Sequence, residues 1–282
     1  MKPFKVSLDN LTIVANEASG LYVNFRDLMS TEVGFEGPFS TKFPYRYAWQ
    51  GVDGTFIQWT DNKRLKPVRI DFNPNKCDSE AIIRILRTLK YGELTRFDVA
   101  LDFEADLSEY YIQDGNRRKQ NYWLGTSGKL ETKYIGTRNS DLMIRIYDKA
   151  KEQQKENENY EPDIQWWRVE AQMSGRFIDV FERFKSLYNP FTDLRLFKPD
   201  YTNLDYKDEA IVYRILNDDH TGYLGRMEKR ARSKYKKIIA SMKANDELNL
   251  YEIFEKEKQN LLYHIHKWLD YSKEHSVVKP IR

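Results

Sequence analysis

The sequence predicts an α+β fold: a mainly antiparallel central sheet followed by a helical C-terminal region. Three observations predict it. Alternating apolar and polar residues, the period-two mark of half-buried strands, dominate residues 1–175. Helical segments interrupt them without the regular strand-helix repeat of a parallel sheet. After about residue 200 the apolar period becomes helical.

The elements follow in order. Phe4-Lys5-Val6-Ser7-Leu8 alternates, 11–14 is a short apolar-rich run, and 21–25 places Leu21, Val23 and Phe25 on one face. Asp53-Gly54 ahead of 54–59 predicts a hairpin. The alternation of 68–72 stops at Pro74, after which Asp78 or Ser79 caps a helix over 79–90 carried by Ile82, Ile85, Leu86 and Leu89. Strands are predicted at 95–103, 142–149 and 165–172. The polar stretches 104–121 and 150–163 read as surface loops or exposed helix. Helices are predicted over 210–216, 223–242 and 248–271, the last with a stripe of Leu250, Phe254, Leu261, Ile265 and Trp268. A soft boundary near 200 then divides an α+β unit, 1–200, from a helical unit, 201–282.

The composition of the 282 residues, 40% hydrophobic and 32% charged, is that of a globular chain and not a disordered one. No apolar run approaches the roughly 20 residues that span a bilayer, and Met1-Lys2-Pro3-Phe4-Lys5 leads into alternation instead of a signal core. A soluble cytoplasmic protein without a membrane partner is expected. The single cysteine, Cys77, excludes an intrachain disulfide and a cysteine-based zinc site. The net charge of +3 says little about partners, but its distribution says more. Residues 226–243 hold Arg226, Lys229, Arg230, Arg232, Lys234, Lys236, Lys237 and Lys243 against one acid, Glu228. Such a block suits phosphate contact and equally suits a solvated helix face.

Three strands carry the chemistry. In 96–103 an unbroken apolar face of Phe97, Val99, Leu101 and Phe103 sets Asp98 and Asp102 on the other face, with small Ala100 between them. The two carboxylates are about 13 Å apart along a regular strand, so both reach one metal only if the strand bends. A wet second face is the bland alternative. In 145–149, Arg145, Tyr147 and Lys149 share a face. A free phenol has a pKa near 10, so at pH 7 its phenolate costs roughly 4 kcal/mol, a deficit that neighbouring cations or a metal reduce. Yet Tyr147 is one of 19 tyrosines, and strand pattern alone does not single it out. In 166–172, Arg168, Glu170 and Gln172 share a face; Glu170 suits a metal ligand or general base, or a cross-strand ion pair with Arg145 or Lys149. If the three strands lie side by side, one sheet face holds acids for Mg²⁺ or Mn²⁺ beside a tyrosine nucleophile, the equipment for metal-assisted phosphodiester transesterification.

Three segments resemble the Rep_trans replication initiators of Gram-positive rolling-circle plasmids: Tyr134-Ile135-Gly136-Thr137-Arg138-Asn139-Ser140 running through Leu142 into Arg145-Ile146-Tyr147-Asp148-Lys149; Arg96-Phe97-Asp98-Val99-Ala100-Leu101-Asp102; and Trp167-Arg168-Val169-Glu170. The resemblance implies that Tyr147 nicks one strand of double-strand origin DNA, leaving a 5′-phosphotyrosyl link and a free 3′-OH. Arg145, Lys149 and Arg168 then assist it, and Asp98, Asp102 and Glu170 become candidate ligands for Mg²⁺ or Mn²⁺. It further implies a homodimer that supplies a second tyrosine, a host helicase and DNA polymerase as partners, and origin contact by Arg226, Lys229, Arg230, Arg232, Lys234, Lys236 and Lys237.

Many rolling-circle nickases hold their metal on a His-hydrophobic-His strand. His264-Ile265-His266 is not that motif, because it falls in a helical pattern where i and i+2 point about 200° apart. His264 is expected near the helical seam and His266 in solvent. His220 and His275 are the other two histidines, so the metal site is expected to be carboxylate. The rival readings are a non-enzymatic sequence-specific DNA-binding protein, a helical dimerisation protein with a β domain, and a metal-dependent nuclease that uses water.

Overall fold

The structure, a computed structural model, describes residues 3–17, 25–32, 34–41, 44–116, 118–126, 128–157, 161, 163–217 and 222–272. In chain order its elements are β1 (Lys5–Glu17), α1 (Phe25–Thr31), β2 (Phe35–Ser40), β3 (Tyr47–Gly51), β4 (Phe56–Trp59), β5 (Val68–Phe72), α2 (Ser79–Arg87), β6 (Leu89–Glu104), a short 3-10 turn (Leu107–Glu109), β7 (Tyr111–Asp114), β8 (Gln120–Leu124), β9 (Leu130–Ile135), β10 (Leu142–Asp148), α3 (Lys149–Glu156), β11 (Trp166–Ser174), α4 (Arg176–Phe184), β12 (Leu194–Pro199), α5 (Tyr206–Asn217), α6 (Tyr223–Arg226), α7 (Lys229–Ser241), β13 (Ala244–Leu248) and α8 (Leu250–Asp270).

A ten-stranded sheet runs β2-β3-β4-β5-β1-β6-β11-β10-β9-β8, and a three-stranded sheet runs β13-β12-β7. Every pairing is antiparallel, so the α+β expectation holds. The three chemistry-bearing strands are neighbours at the centre, in the order β6-β11-β10. The two runs expected at 4–8 and 11–14 are one strand, β1, with register shifts against β6; the first lies between Leu8 and Asn10 and takes Asp9 out of the ladder.

The apolar face of the large sheet packs under helices. Phe97, Val99, Leu101, Phe103, Ile144, Ile146 and Val169 meet Ile82 and Ile85 of α2, Phe177 and Phe181 of α4, and Phe254, Leu261 and Ile265 of α8 in one core. Asp78 starts α2 as expected, its carboxylate accepting from the N–H groups of Glu80 and Ala81. The helix stops at Arg87, before the expected 90, because Leu89 already belongs to β6.

A second core holds Phe197 of β12, Val212 and Ile215 of α5, Tyr235 and Ile239 of α7, and Met242. The boundary expected near 200 therefore does not separate the packing. β12 is shared between the two cores, through Leu194 and Leu196 on one side and Phe197 on the other, and α8 returns to the first core. The period of α8 predicted its apolar stripe correctly, but a stripe does not say which apolar surface it will cover.

Other expectations need correction. The excursion 104–121 contains β7, whose Ile112 is buried. The expected helix 223–242 breaks at Met227, which is extended, into α6 and α7. The expected strand 21–25 lies mostly outside the described residues, and its last residue, Phe25, begins α1. β8 and β9, absent from the sequence reading, complete the edge of the large sheet. Gly136 fixes the turn from β9 to β10: its φ is +95°, and a Cβ there would lie 2.4 Å from the Leu142 carbonyl oxygen. That turn sets the register that places Tyr147 opposite Thr132. Among the described residues no helix is long and apolar enough to cross a membrane.

Candidate active site

Directly opposed residues in a ladder share a face, so the registers build the site as rows. One row runs Ser7, Ala100, Glu170, Arg145, Tyr134, Asn121 across β1, β6, β11, β10, β9 and β8. The next runs Lys5, Asp102, Arg168, Tyr147, Thr132, Trp123. Asn10, Asp98, Gln172 and Met143 form a third. Ala100 is small where Ser7 and Glu170 flank it, which leaves room for the larger polar groups on either side.

The face is not wet. Tyr147, Asp98, Asp102, Arg168, Glu170 and Lys149 are all buried, and each has a polar partner: Tyr147 with Glu170, Arg168 with Asp102, Asp98 with Arg96 and Lys149 with Glu152. Arg145 Nη2 donates to Tyr147 Oη at 3.0 Å and to Glu170 Oε2 at 2.9 Å, while Tyr147 Oη donates to the same Glu170 oxygen at 3.3 Å. The Arg145 guanidinium carbon lies 4.0 Å from the Tyr147 ring centroid. The expected cross-strand ion pair between Glu170 and Arg145 thus also holds the Tyr147 hydroxyl.

Lys149 departs from its expected place. It is the first residue of α3, not the end of a strand, since Asp148 caps that helix by accepting from Lys151 N–H. Its ammonium pairs with Glu152 and lies 5.8 Å from the Tyr147 ring centroid. Glu152 also accepts from Arg145 at 3.4 Å, tying α3 to the site.

The cations do not make Tyr147 acidic in the resting protein. Burial pushes its pKa up, and Glu170 pushes it further; Arg145 and Arg168 pull the other way and lose. Burial is the first cause, and both guanidiniums already share their charge with carboxylates. Arg168 donates to Asp102 through Nε at 2.7 Å and Nη2 at 2.9 Å, and to Asp9 through Nη1 at 2.7 Å. Tyr147 therefore rests as a neutral phenol hydrogen-bonded to a carboxylate.

Of the three expected metal ligands, Asp102 does not fit. Arg168 takes both its oxygens, and Trp166 Nε1 donates to Oδ1 at 2.8 Å. Asp102 holds Arg168 in place beside Tyr147. Among the described residues no three His, Cys, Asp or Glu side chains group closely enough to hold an ion. Mg²⁺ does not require three, since it keeps several waters and takes one or two carboxylates plus substrate phosphate. Asp98 also has both oxygens accepting from an arginine, Arg96. Arg96 is partly exposed where Arg168 is buried, so Asp98 and Glu170 suit that smaller demand with Arg96 turned toward solvent. The Asp98 pKa is pushed up to about 7, by burial first, against the pull of Arg96 and with the repulsion of Glu170 and Asp9. A hard cation would offset the cost of burying this carboxylate near Glu170 and Asp9. Ser7 Oγ, buried in the same row as Glu170, has no hydrogen-bond partner.

The expected DNA-contacting residues divide by environment. Arg226 of α6 and Lys229, Arg230, Lys234, Lys236 and Lys237 of α7 are exposed, while Tyr235 and Ile239 of α7 are buried. Lys234 pairs with Asp208 at 2.6 Å. Arg232 is structural: its Nη2 donates to the carbonyls of Gly225 at 2.7 Å and Met227 at 2.8 Å, closing the α6–α7 corner. Lys229 and Arg230 stand in the first turn of α7, which has no acid. Cations there oppose the helix dipole, so helix stability does not account for them.

The histidine expectations invert within a correct exclusion. His264-Ile265-His266 is helical, in α8, but His264 is exposed and His266 is half-buried, with its ring 5.2 Å from Phe181. His220 and His275 lie outside the described residues. Sequence reading missed Asp9, Glu152 and Trp166. Asp9 had one legible signal, the break in alternation at Leu8-Asp9-Asn10 that marks a bulge.

No protein-family model matches the chain. Two curated replication initiation proteins of Staphylococcus aureus do. One is 34% identical over 269 residues, covering 90% of this chain and 83% of the relative. The other is 31% identical over 270 residues, covering 92% and 82%. A solved structure of a rolling circle replication initiator protein from Geobacillus stearothermophilus shows a more distant likeness, with a TM-score of 0.44 and 15% identity over 72% of this chain and 89% of that one. Identity of this level over nine-tenths of the sequence places the chain in the family of replication initiation proteins.

Proposed function

We propose that this chain initiates rolling-circle replication of a plasmid by nicking and rejoining origin DNA through Tyr147. The observation that carries the reading is the closed triangle of Tyr147, Arg145 and Glu170, set within the Arg145-Ile146-Tyr147-Asp148-Lys149 segment.

The residues support a concrete sequence of bond changes. Glu170 takes the phenolic proton as Tyr147 Oη attacks phosphorus. Arg145, freed from the phenol by that approach, donates to a non-bridging phosphate oxygen, and its charge offsets the charge that develops there. The bond from phosphorus to the 3′ oxygen breaks, the leaving oxygen takes a proton from water, and the 5′ phosphate stays on Tyr147. Reversal needs only a 3′-OH in place of the leaving group. Arg168, locked by Asp102 and Asp9, keeps a fixed positive charge next to the phenol as its proton leaves. Asp98 and Glu170 Oε1 are the groups to hold Mg²⁺ or Mn²⁺, which when bound supplies charge neutralisation at the phosphate.

Lys229, Arg230, Lys236 and Lys237 on α7 suit the phosphates of double-strand origin DNA. A homodimer would supply the second tyrosine that ends the cycle, and a host helicase and DNA polymerase would use the 3′-OH. A cytoplasmic setting follows from these partners.

Tyr147→Phe separates the readings on supercoiled origin plasmid. The nickase reading expects both nicking and the covalent adduct to disappear. Cleavage that persists without a protein–DNA link points to a nuclease using water. Tight binding by a wild-type protein that never nicks points to a non-enzymatic origin-binding protein.

A further inference from the structure

The sheet carries an aromatic group whose exposure the fold does not explain. Trp123 is 66% exposed and stands on β8, the edge strand of the large sheet. A large apolar side chain on an open edge is a liability that folds usually avoid. Its position is not arbitrary. Trp123 is opposite Thr132, and Thr132 is opposite Tyr147. The three share a row and a face, so the Cα of Trp123 lies two strand spacings from that of Tyr147, about 10 Å.

Beyond the edge lies a groove of about 1000 Å³ between β7, β8 and α7. Trp123, Tyr111, Asn121, Gln113 and Lys236 are among the residues that line it. Lys236 is exposed and has no ion-pair partner among the described residues. It belongs to the cationic outer face of α7 together with Lys229, Arg230 and Lys237. The groove thus joins the row of Tyr147 to the basic helix.

Aromatic faces interleaved with amides and cations form the chemistry of single-stranded nucleic-acid grooves, where rings stack bases and cations follow the backbone. A duplex cannot present a base face to Trp123 without unstacking it, so the groove favours an unpaired strand. We infer that Trp123 is a stacking platform for an unpaired base close to the scissile phosphate, and that the groove leads the strand from the Tyr147 face to Lys236. Binding of an unpaired strand stands on the groove alone; its closeness to a scissile phosphate rests on the nicking reading.

Full-length protein and a fluorescein-labelled oligothymidylate test this by fluorescence anisotropy, because base stacking is tolerant of sequence. Trp123→Ala should weaken binding about 10-fold or more, and Trp123→Phe should keep most of the affinity. Lys236→Glu should weaken binding and flatten its salt dependence. The wild-type and Trp123→Ala proteins should have the same thermal midpoint and the same sedimentation. Unchanged oligothymidylate affinity in Trp123→Ala overturns the inference. So does a change in sedimentation from dimer to monomer at unchanged affinity, which would make the edge a contact between copies of this chain. Trp123-dependent binding by a protein that never forms a Tyr147 adduct leaves the platform standing and removes the nicking reading.

Discussion

Tyr147 and Glu170 sit on neighbouring strands, with the phenol donating to Glu170 Oε2 at 3.3 Å. The contact has two opposite consequences. Burial first and the Glu170 charge second raise the Tyr147 pKa, which holds the phenol protonated at rest. In the proposed mechanism the same carboxylate receives the proton when the phosphate arrives.

Glu170→Gln tells these roles apart. Removing the negative charge lowers the Tyr147 pKa, so a purely electrostatic role predicts faster adduct formation. A general-base role predicts a loss of about 100- to 10,000-fold. We expect the loss, measured as single-turnover adduct formation with the fold checked by circular dichroism. The amide oxygen can still accept from Arg145, so the variant should fold.

Asp98 makes stability depend on pH. Its folded pKa is raised from 3.8 to about 7, so its contribution is fully present below the unfolded value and is lost as pH rises through about 7. The loss is at most about 4 kcal/mol by linkage. Urea unfolding at pH 5 and pH 8 should show a slope in the wild type that Asp98→Asn removes. Millimolar Mg²⁺ should recover part of the loss at pH 8 in the wild type and none in the variant. An identical pH slope in both proteins would contradict the assignment.

The cations of 226–243 should not behave alike. Lys229→Glu and Lys237→Glu should each lower the salt slope of origin binding by about one. Arg232→Ala should leave the slope unchanged and instead lower stability by about 1–3 kcal/mol, because it leaves the Gly225 and Met227 carbonyls unpaired. Equal loss of slope in all three variants would assign Arg232 to DNA as well.

The local pattern of the site was legible in the sequence, and its connections were not. Alternation in 96–103 and 166–172 placed Asp98, Asp102, Arg168 and Glu170 on the correct face, because a side chain's face is a property of its own strand. Which residue faces which depends on register, and register is set by remote features such as the β1 bulge at Asp9 and the turn at Gly136. Hence the sequence could offer Asp102 as a metal ligand when Arg168 and Trp166 occupy it. Helix starts are similarly local, but α3 begins at Lys149 because Asp148 caps it, and the alternation through 145–149 masked that start. The edge strand β8 and its neighbour β9 were missed because the residues of β8 are half-buried or exposed, β9 buries only Lys133 and Ile135, and neither has a clean apolar face.

The central claim is that Tyr147 becomes covalently joined to DNA. Its most direct test is a tryptic peptide map of the adduct formed with an origin oligonucleotide in Mg²⁺ or Mn²⁺. The account predicts nucleotide mass on the peptide Ile146–Lys149 through Tyr147, and no adduct in Tyr147→Phe. Nucleotide mass on a different tyrosine, or strand cleavage with no adduct at all, would contradict it.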